Sequence, residues 1–131
     1  MTENEVSKEV LNAAMTVHKE LGPGLLESVY ERCLLIELHK AGLKCERQVE
    51  LPVIYKGEPL DFGFRMDIVV EGLVVVEVKA TDGMSELHFA QLLTYLKLST
   101  MRLGLLINFN EALLKRGVRR VVNGLSESLM T

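Results

Sequence analysis

RMDIVVEGLVVVEVK, residues 65–79, decides how this chain folds, because three charged side chains sit inside its most strand-like run. Ile68, Val69 and Val70, then Leu73, Val74, Val75, Val76 and Val78, give the β-branched density of two neighbouring strands in the middle of a sheet. Glu71 and Gly72 supply the turn. Side chains alternate across a strand, so Glu77 and Lys79 share one face of the second strand, and Val74, Val76 and Val78 take the other. The position of Asp67 depends on the turn. A two-residue turn pairs Val70 with Leu73 and leaves Asp67 and Glu77 on opposite faces. A three-residue loop, or a bulge with Gly72 at positive φ, pairs Val70 with Val74 and sets Asp67 opposite Glu77.

Two carboxylates at cross-strand distance repel unless a cation or a proton lies between them. In the second register the pair suits a divalent cation with oxygen ligands, since Mg²⁺ is held by one or two carboxylates, waters and substrate phosphate oxygens. The Val78 carbonyl could add a ligand. Lys79, on the Glu77 face, could hold the attacking water or steady charge on a phosphate under in-line attack. The plain alternative is a solvated Glu-Lys pair on a polar face. The apolar neighbours weigh against it, because an acid in a central strand is costly without a partner.

Working outward, 131 residues with 48% hydrophobic and 25% charged side chains describe one soluble domain spanning 1–131, able to bury a single core. No cationic leader followed by an apolar run opens the chain, and no stretch reaches the roughly 18 apolar residues of a membrane span, so a cytoplasmic protein is expected. Cys33 and Cys45 lack metal-ligand spacing, which disfavours a disulfide or a zinc site, and Cys33 is expected to be a buried thiol. The net charge of −3 argues against a protein that coats nucleic acid nonspecifically.

Val6, Val10, Ala14, Val17 and Leu21 recur at helical spacing and predict an amphipathic helix over about 4–20, stopped by Gly22-Pro23-Gly24. A second helix is expected over 25–41, ending at Gly42. On its wheel Glu27 falls with Tyr30, Leu34, Leu38 and Ala41, so it should point inward and need a partner, either a cation or a hydrogen-bonding group such as Arg65. His18 reads as a surface or capping residue. ERQVELPVIY, 46–55, alternates as a strand, and Pro52 places it toward an edge. Residues 56–59 form a turn, and Phe62 and Phe64 lead into the Asp67 strand. Arg65 should share the face of Asp67, there to contact a phosphate or pair with an acid. Residues 80–83 form a loop before a helix over 85–98, on which His88, Gln91 and Tyr95 share a face with Leu87 and Leu98. RLGLLINF, 102–109, is a buried strand reached by a right-handed parallel crossover. Asn110 and Glu111 start a helix or loop, and residues 117–122 form a last edge strand. Lys115, Arg116, Arg119 and Arg120 are the densest basic cluster, suited to edge protection or to a phosphate backbone.

The order is α, α, β, β, β, α, β, with a short edge strand after it. It makes an α/β (α+β) domain with a mixed four- to five-stranded sheet flanked by helices. An Asp followed about ten residues later by Glu-x-Lys at the end of an apolar strand resembles the PD-(D/E)xK phosphodiesterase superfamily; Met66 stands where its signature has proline. Gly24-Leu-Leu-Glu27-Ser-Val-Tyr30 resembles the GxxExxY motif of a family of small proteins within it, and the resemblance runs from about Val17 to Gly124. It implies the restriction-endonuclease-like core and a metal-dependent nuclease acting on nucleic acid, DNA first. Mg²⁺, or Mn²⁺, would be held by Asp67, Glu77, the Val78 carbonyl and Glu27. Lys79 would orient water. Gln91 and Tyr95, similar to a QxxxY element, would line the site, and Arg65 and His88 would contact phosphate. A symmetric homodimer would let two sites embrace both strands of a duplex. The alternative is a catalytically silent nucleic-acid- or protein-binding module on the same fold.

Overall fold

Val6, Val10, Ala14 and Val17 are at most 3% exposed and form the buried stripe of helix α1, Glu3–Leu21. Thr2 caps it. Its hydroxyl accepts the Glu5 N–H at 3.2 Å while Glu5 Oε1 accepts the Thr2 N–H at 2.9 Å, satisfying two otherwise orphaned donors. The computed structural model describes residues 1–126; residues 127–131, the end of the expected domain, lie outside the described part.

After α1 come α2 (Glu27–Lys40), β1 (Cys45–Tyr55), β2 (Glu58–Val70), β3 (Val74–Lys79), α3 (Glu86–Ser99) and β4 (Leu103–Asn108). A 3₁₀ turn, Leu114–Gly117, then leads into β5 (Val118–Val122). The five strands lie in the order β1-β2-β3-β4-β5. Only β3 and β4 pair in parallel, with α3 as their crossover, so the sheet is mixed. Helices α1 and α2 cover one face over Ile68, Val70, Val74, Val76, Val78 and Ile107. Leu92, Tyr95 and Leu96 of α3 cover the other over Val75 and Leu106. A strand buried on both faces reads as the continuous valine run of β3. Each fully buried valine contributes about 1.5–3 kcal/mol. Among the described residues no helix is long and apolar enough to cross a membrane.

The β2–β3 turn has three residues. Val70 pairs with Val74, and Glu71 and Gly72 both take positive φ, 55° and 64°. Glu71 is fixed from outside the hairpin: its N–H donates to Lys44 O at 2.7 Å and its Oε2 accepts the Lys44 N–H at 2.6 Å. These bonds hold the register that sets Asp67 across from Glu77. Pro52 lies on β1, an edge strand, at a register shift between Pro52 and Ile54.

β1 and β2 do not keep one face throughout. Cys45, Ile68 and Val70 join the α1/α2 core, whereas Val49, Leu51, Phe64 and Met66 join the α3 core. Strict alternation would have left Val49 and Met66 with the first group. The pairs Arg47–Ile68 and Val49–Met66 bracket the change, so it falls at Gln48 and Asp67, and Gln48 has φ 52°. A left-handed residue turns the strand over at that level. Cys33 is half-buried rather than buried.

Candidate active site

The regular β2–β3 ladder ends at Ile68–Val76, and side chains take over where the next pair would be. Glu77 Oε2 accepts the Asp67 N–H at 2.8 Å, and Asp67 Oδ2 accepts the Val78 N–H at 2.8 Å. Each carboxylate thus takes the place of a backbone carbonyl of the opposite strand. Within a strand the N–H and C=O of one residue point the same way, so the Val78 carbonyl also faces this opening.

Glu77 is 4% exposed and Asp67 is partly buried. Burial, then the Asp67 charge, raises the Glu77 carboxyl to about 8 against the opposing bond from the Asp67 N–H. Burial likewise raises Asp67 to about 6, opposed by the Val78 N–H and reinforced by Glu31 and Glu27. Lys79 favours the ionised form of both. It is half-buried and makes no ion pair within 4.0 Å among the described residues. Tyr95 packs against Phe64 at 5.3 Å between ring centroids. Burial, then the Glu77 and Asp67 charges, raises its hydroxyl to about 12, so it stays protonated.

This donor set fits a hard divalent cation. Asp67 Oδ1 and Glu77 Oε1 have no protein hydrogen bond among the described residues, the ligands are oxygens, and burial penalises two unaccompanied negative charges. No group of three or more His, Cys, Asp or Glu forms a ready cation cluster among the described residues. A sparse site of this kind suits Mg²⁺ or Mn²⁺, which keep several waters, better than zinc.

The structure brings Asp67, Glu77, the Val78 carbonyl, Lys79 and Tyr95 together. It corrects the placing of Glu27, which is exposed. Helix α2 begins at Glu27 itself, two residues later than expected, so this side chain stands at the helix mouth instead of in the inward stripe of Tyr30, Leu34 and Leu38. Tyr30 shapes that mouth. Its hydroxyl donates to Gly22 O at 2.5 Å and accepts the Leu25 N–H at 3.1 Å, and its ring stacks on Phe109 at 4.7 Å. Gln91 lies one turn before Tyr95 with its side chain in solvent. His88 commits Nδ1 to the Ser85 N–H at 3.2 Å, an N-capping role. Arg65 is exposed and lies 4.0 Å from Glu50, its cross-strand partner.

Three residues escaped the sequence reading. Glu31, 7% exposed, accepts the Gln48 side-chain N–H at 2.8 Å and lies 3.9 Å from Arg47. Its i, i+4 relation to Glu27 was the available signal. Gln48 gave none, since glutamine does not favour positive φ. Asn108, fully buried, accepts the Thr81 and Asn110 N–H groups at 3.1 Å and donates to Thr81 O at 3.0 Å, tying down the loop after Lys79. A polar residue ending an apolar strand was its signal.

A family model described as the PD-(D/E)XK nuclease superfamily matches residues 4–121. No curated protein and no solved structure gave a match.

Proposed function

The chain belongs to the PD-(D/E)XK nuclease superfamily, and from that premise we propose that it is a Mg²⁺-dependent nuclease hydrolysing phosphodiester bonds in DNA. The observation that carries this reading is the exchange of carboxylates for backbone at the parting of β2 and β3, with Lys79 unpaired beside it.

Asp67 and Glu77 would hold the cation, with the Val78 carbonyl facing the same opening. Bound there, Mg²⁺ supplies Lewis acidity toward a phosphodiester oxygen, and Mn²⁺ serves in its place. Lys79 holds a water for in-line attack through its ammonium donors and steadies negative charge on the phosphate. Tyr95, protonated at neutral pH and close enough to feel the charges of both acids, would donate a hydrogen bond to the substrate or its water. Gln91, exposed one turn before Tyr95, would contact the substrate strand or the site water. Glu27 at the α2 mouth adds negative field. The net charge of −3 gives no general attraction for phosphates, so a bound cation and Lys79 would supply it locally.

The test is cleavage of linear duplex, supercoiled and single-stranded DNA, and of RNA, with Mg²⁺ or Mn²⁺, with Glu77→Ala and Lys79→Ala run beside the wild type. Metal-dependent cutting lost in both variants supports the reading and selects the substrate. Folded wild-type protein that neither cuts nor binds cations in calorimetry overturns it in favour of a binding module on the same fold.

A further inference from the structure

Gln48 combines two features that need a common cause. It is a non-glycine residue at φ 52° inside a strand, a conformation that costs about 1–3 kcal/mol and persists only where its surroundings impose it. It also stands opposite Asp67, between the pairs Arg47–Ile68 and Val49–Met66, where both strands turn over. The side chain is not idle. Gln48 Nε2 donates to Glu31 Oε1 at 2.8 Å, and Glu31, 7% exposed on α2, finds no other partners among the described residues than Gln48 and Arg47. Burying a carboxylate there is unfavourable unless it is hydrogen-bonded, and the helix has no structural use for it at that position.

We propose that Glu31 and Gln48 form a strut from α2 to β1 that fixes the turned-over backbone opposite Asp67 and so aims the Asp67 carboxylate into the opening between β2 and β3. Both are positioning residues. Glu31 holds the Gln48 amide; the Gln48 backbone, held left-handed, ends regular alternation in β1 and in its partner β2; Asp67 is thereby free to take the Val78 N–H with Oδ2. The acid of α2 that matters to the site on this account is Glu31, acting through Gln48, rather than the exposed Glu27. The inference rests on the nuclease reading for its functional meaning, but its geometric content does not.

The experiment uses ¹⁵N-labelled full-length protein, following hydrogen exchange of the Val78 and Asp67 amides without metal, and calorimetric Mn²⁺ titration of the same samples. Gln48→Ala and Glu31→Leu should lose protection at Val78 while Val75 and Leu105 stay protected. Cation affinity should weaken by about 10- to 100-fold, as for other partners that orient ligands. Glu31→Gln keeps an acceptor for Gln48 and should retain both readouts, which a role for buried charge alone would not give. Gln48→Gly, whose backbone accepts positive φ without strain, keeps the turned-over geometry without the amide and should hold Val78 protection closer to wild type than Gln48→Ala does. Wild-type protection at Val78 in Gln48→Ala and Glu31→Leu overturns the strut, as does loss of protection in Glu31→Gln. A wild-type protein that binds no cation defeats the nuclease reading, while the Val78 amide still decides the strut.

Discussion

From Ile68 to Val70 the β2–β3 pair is held by backbone bonds among side chains at most 3% exposed, whereas one residue further along the same strands two carboxylates take the place of the backbone. At the turn end, burial and hydrogen bonding agree: every valine that faces a core also sits in register. At the open end they conflict, because the hydrogen bonds favour ionised carboxylates and burial opposes them. The contrast separates what stabilises the protein from what equips it to act. A cation at the open end would relieve the conflict; at the turn end it would find nothing to bind.

The comparison breaks most sharply at Glu77. Glu77→Ala should lower metal-dependent cleavage by roughly 10³-fold or more, with the circular dichroism spectrum unchanged. Variant cleavage at the wild-type rate would place the chemistry elsewhere. Val74→Ala, at the turn end, should instead cost about 1–3 kcal/mol in urea unfolding and leave the cation dissociation constant unaltered. Asn108→Ala removes three hydrogen bonds around the loop that follows Lys79 and should cost about 1–2 kcal/mol. Its local signature is faster exchange of the Thr81 amide, and unchanged exchange would mean that other contacts hold the loop.

The contrast also shows in a dependence on pH. The Glu77 carboxyl titrates near 8 when folded against 4.5 as its ordinary value, so between these limits the folded state carries more protons than the unfolded chain. Its contribution is fully present below about pH 4.5 and is lost as pH rises through about 8. Asp67, raised to about 6, adds a similar loss at the lower end of that range. The urea midpoint of metal-free wild-type protein should therefore fall more steeply from about pH 5 to 9 than that of Glu77→Gln. Equal slopes would remove Glu77 as the source, and saturating Mg²⁺ should restore wild-type stability mainly at the alkaline end.

The valine runs, the helical stripe of α1 and the crossover through α3 were legible in the sequence because each follows from periodicity alone. The site was legible only as two alternatives, since the pleat fixes which residues share a face but not how many residues the turn contains. The bonds from Lys44 to Glu71 decided that count, and they join segments that sequence spacing does not relate. Glu27 was misplaced because a helical wheel assumes the helix already exists at the residue in question, and α2 starts there. The break of alternation at Gln48 and Asp67 was not legible, because a left-handed glutamine leaves no compositional trace. Glu31 was overlooked for the opposite reason: it looks like an ordinary surface acid until β1 is folded beside it.

The three-residue turn at 71–73 has a consequence for insertions and deletions. The substitutions considered above leave the number of residues in the turn unchanged. Removing one residue from the turn while keeping the strands paired would shift β3 by one place against β2, carrying Glu77 and Lys79 to the opposite face from Asp67 and exchanging the β3 valines between the two cores. Length in this short loop is therefore under tighter constraint than its composition. A lineage could change the chemistry of Leu73 and keep the site, but could not lose the position.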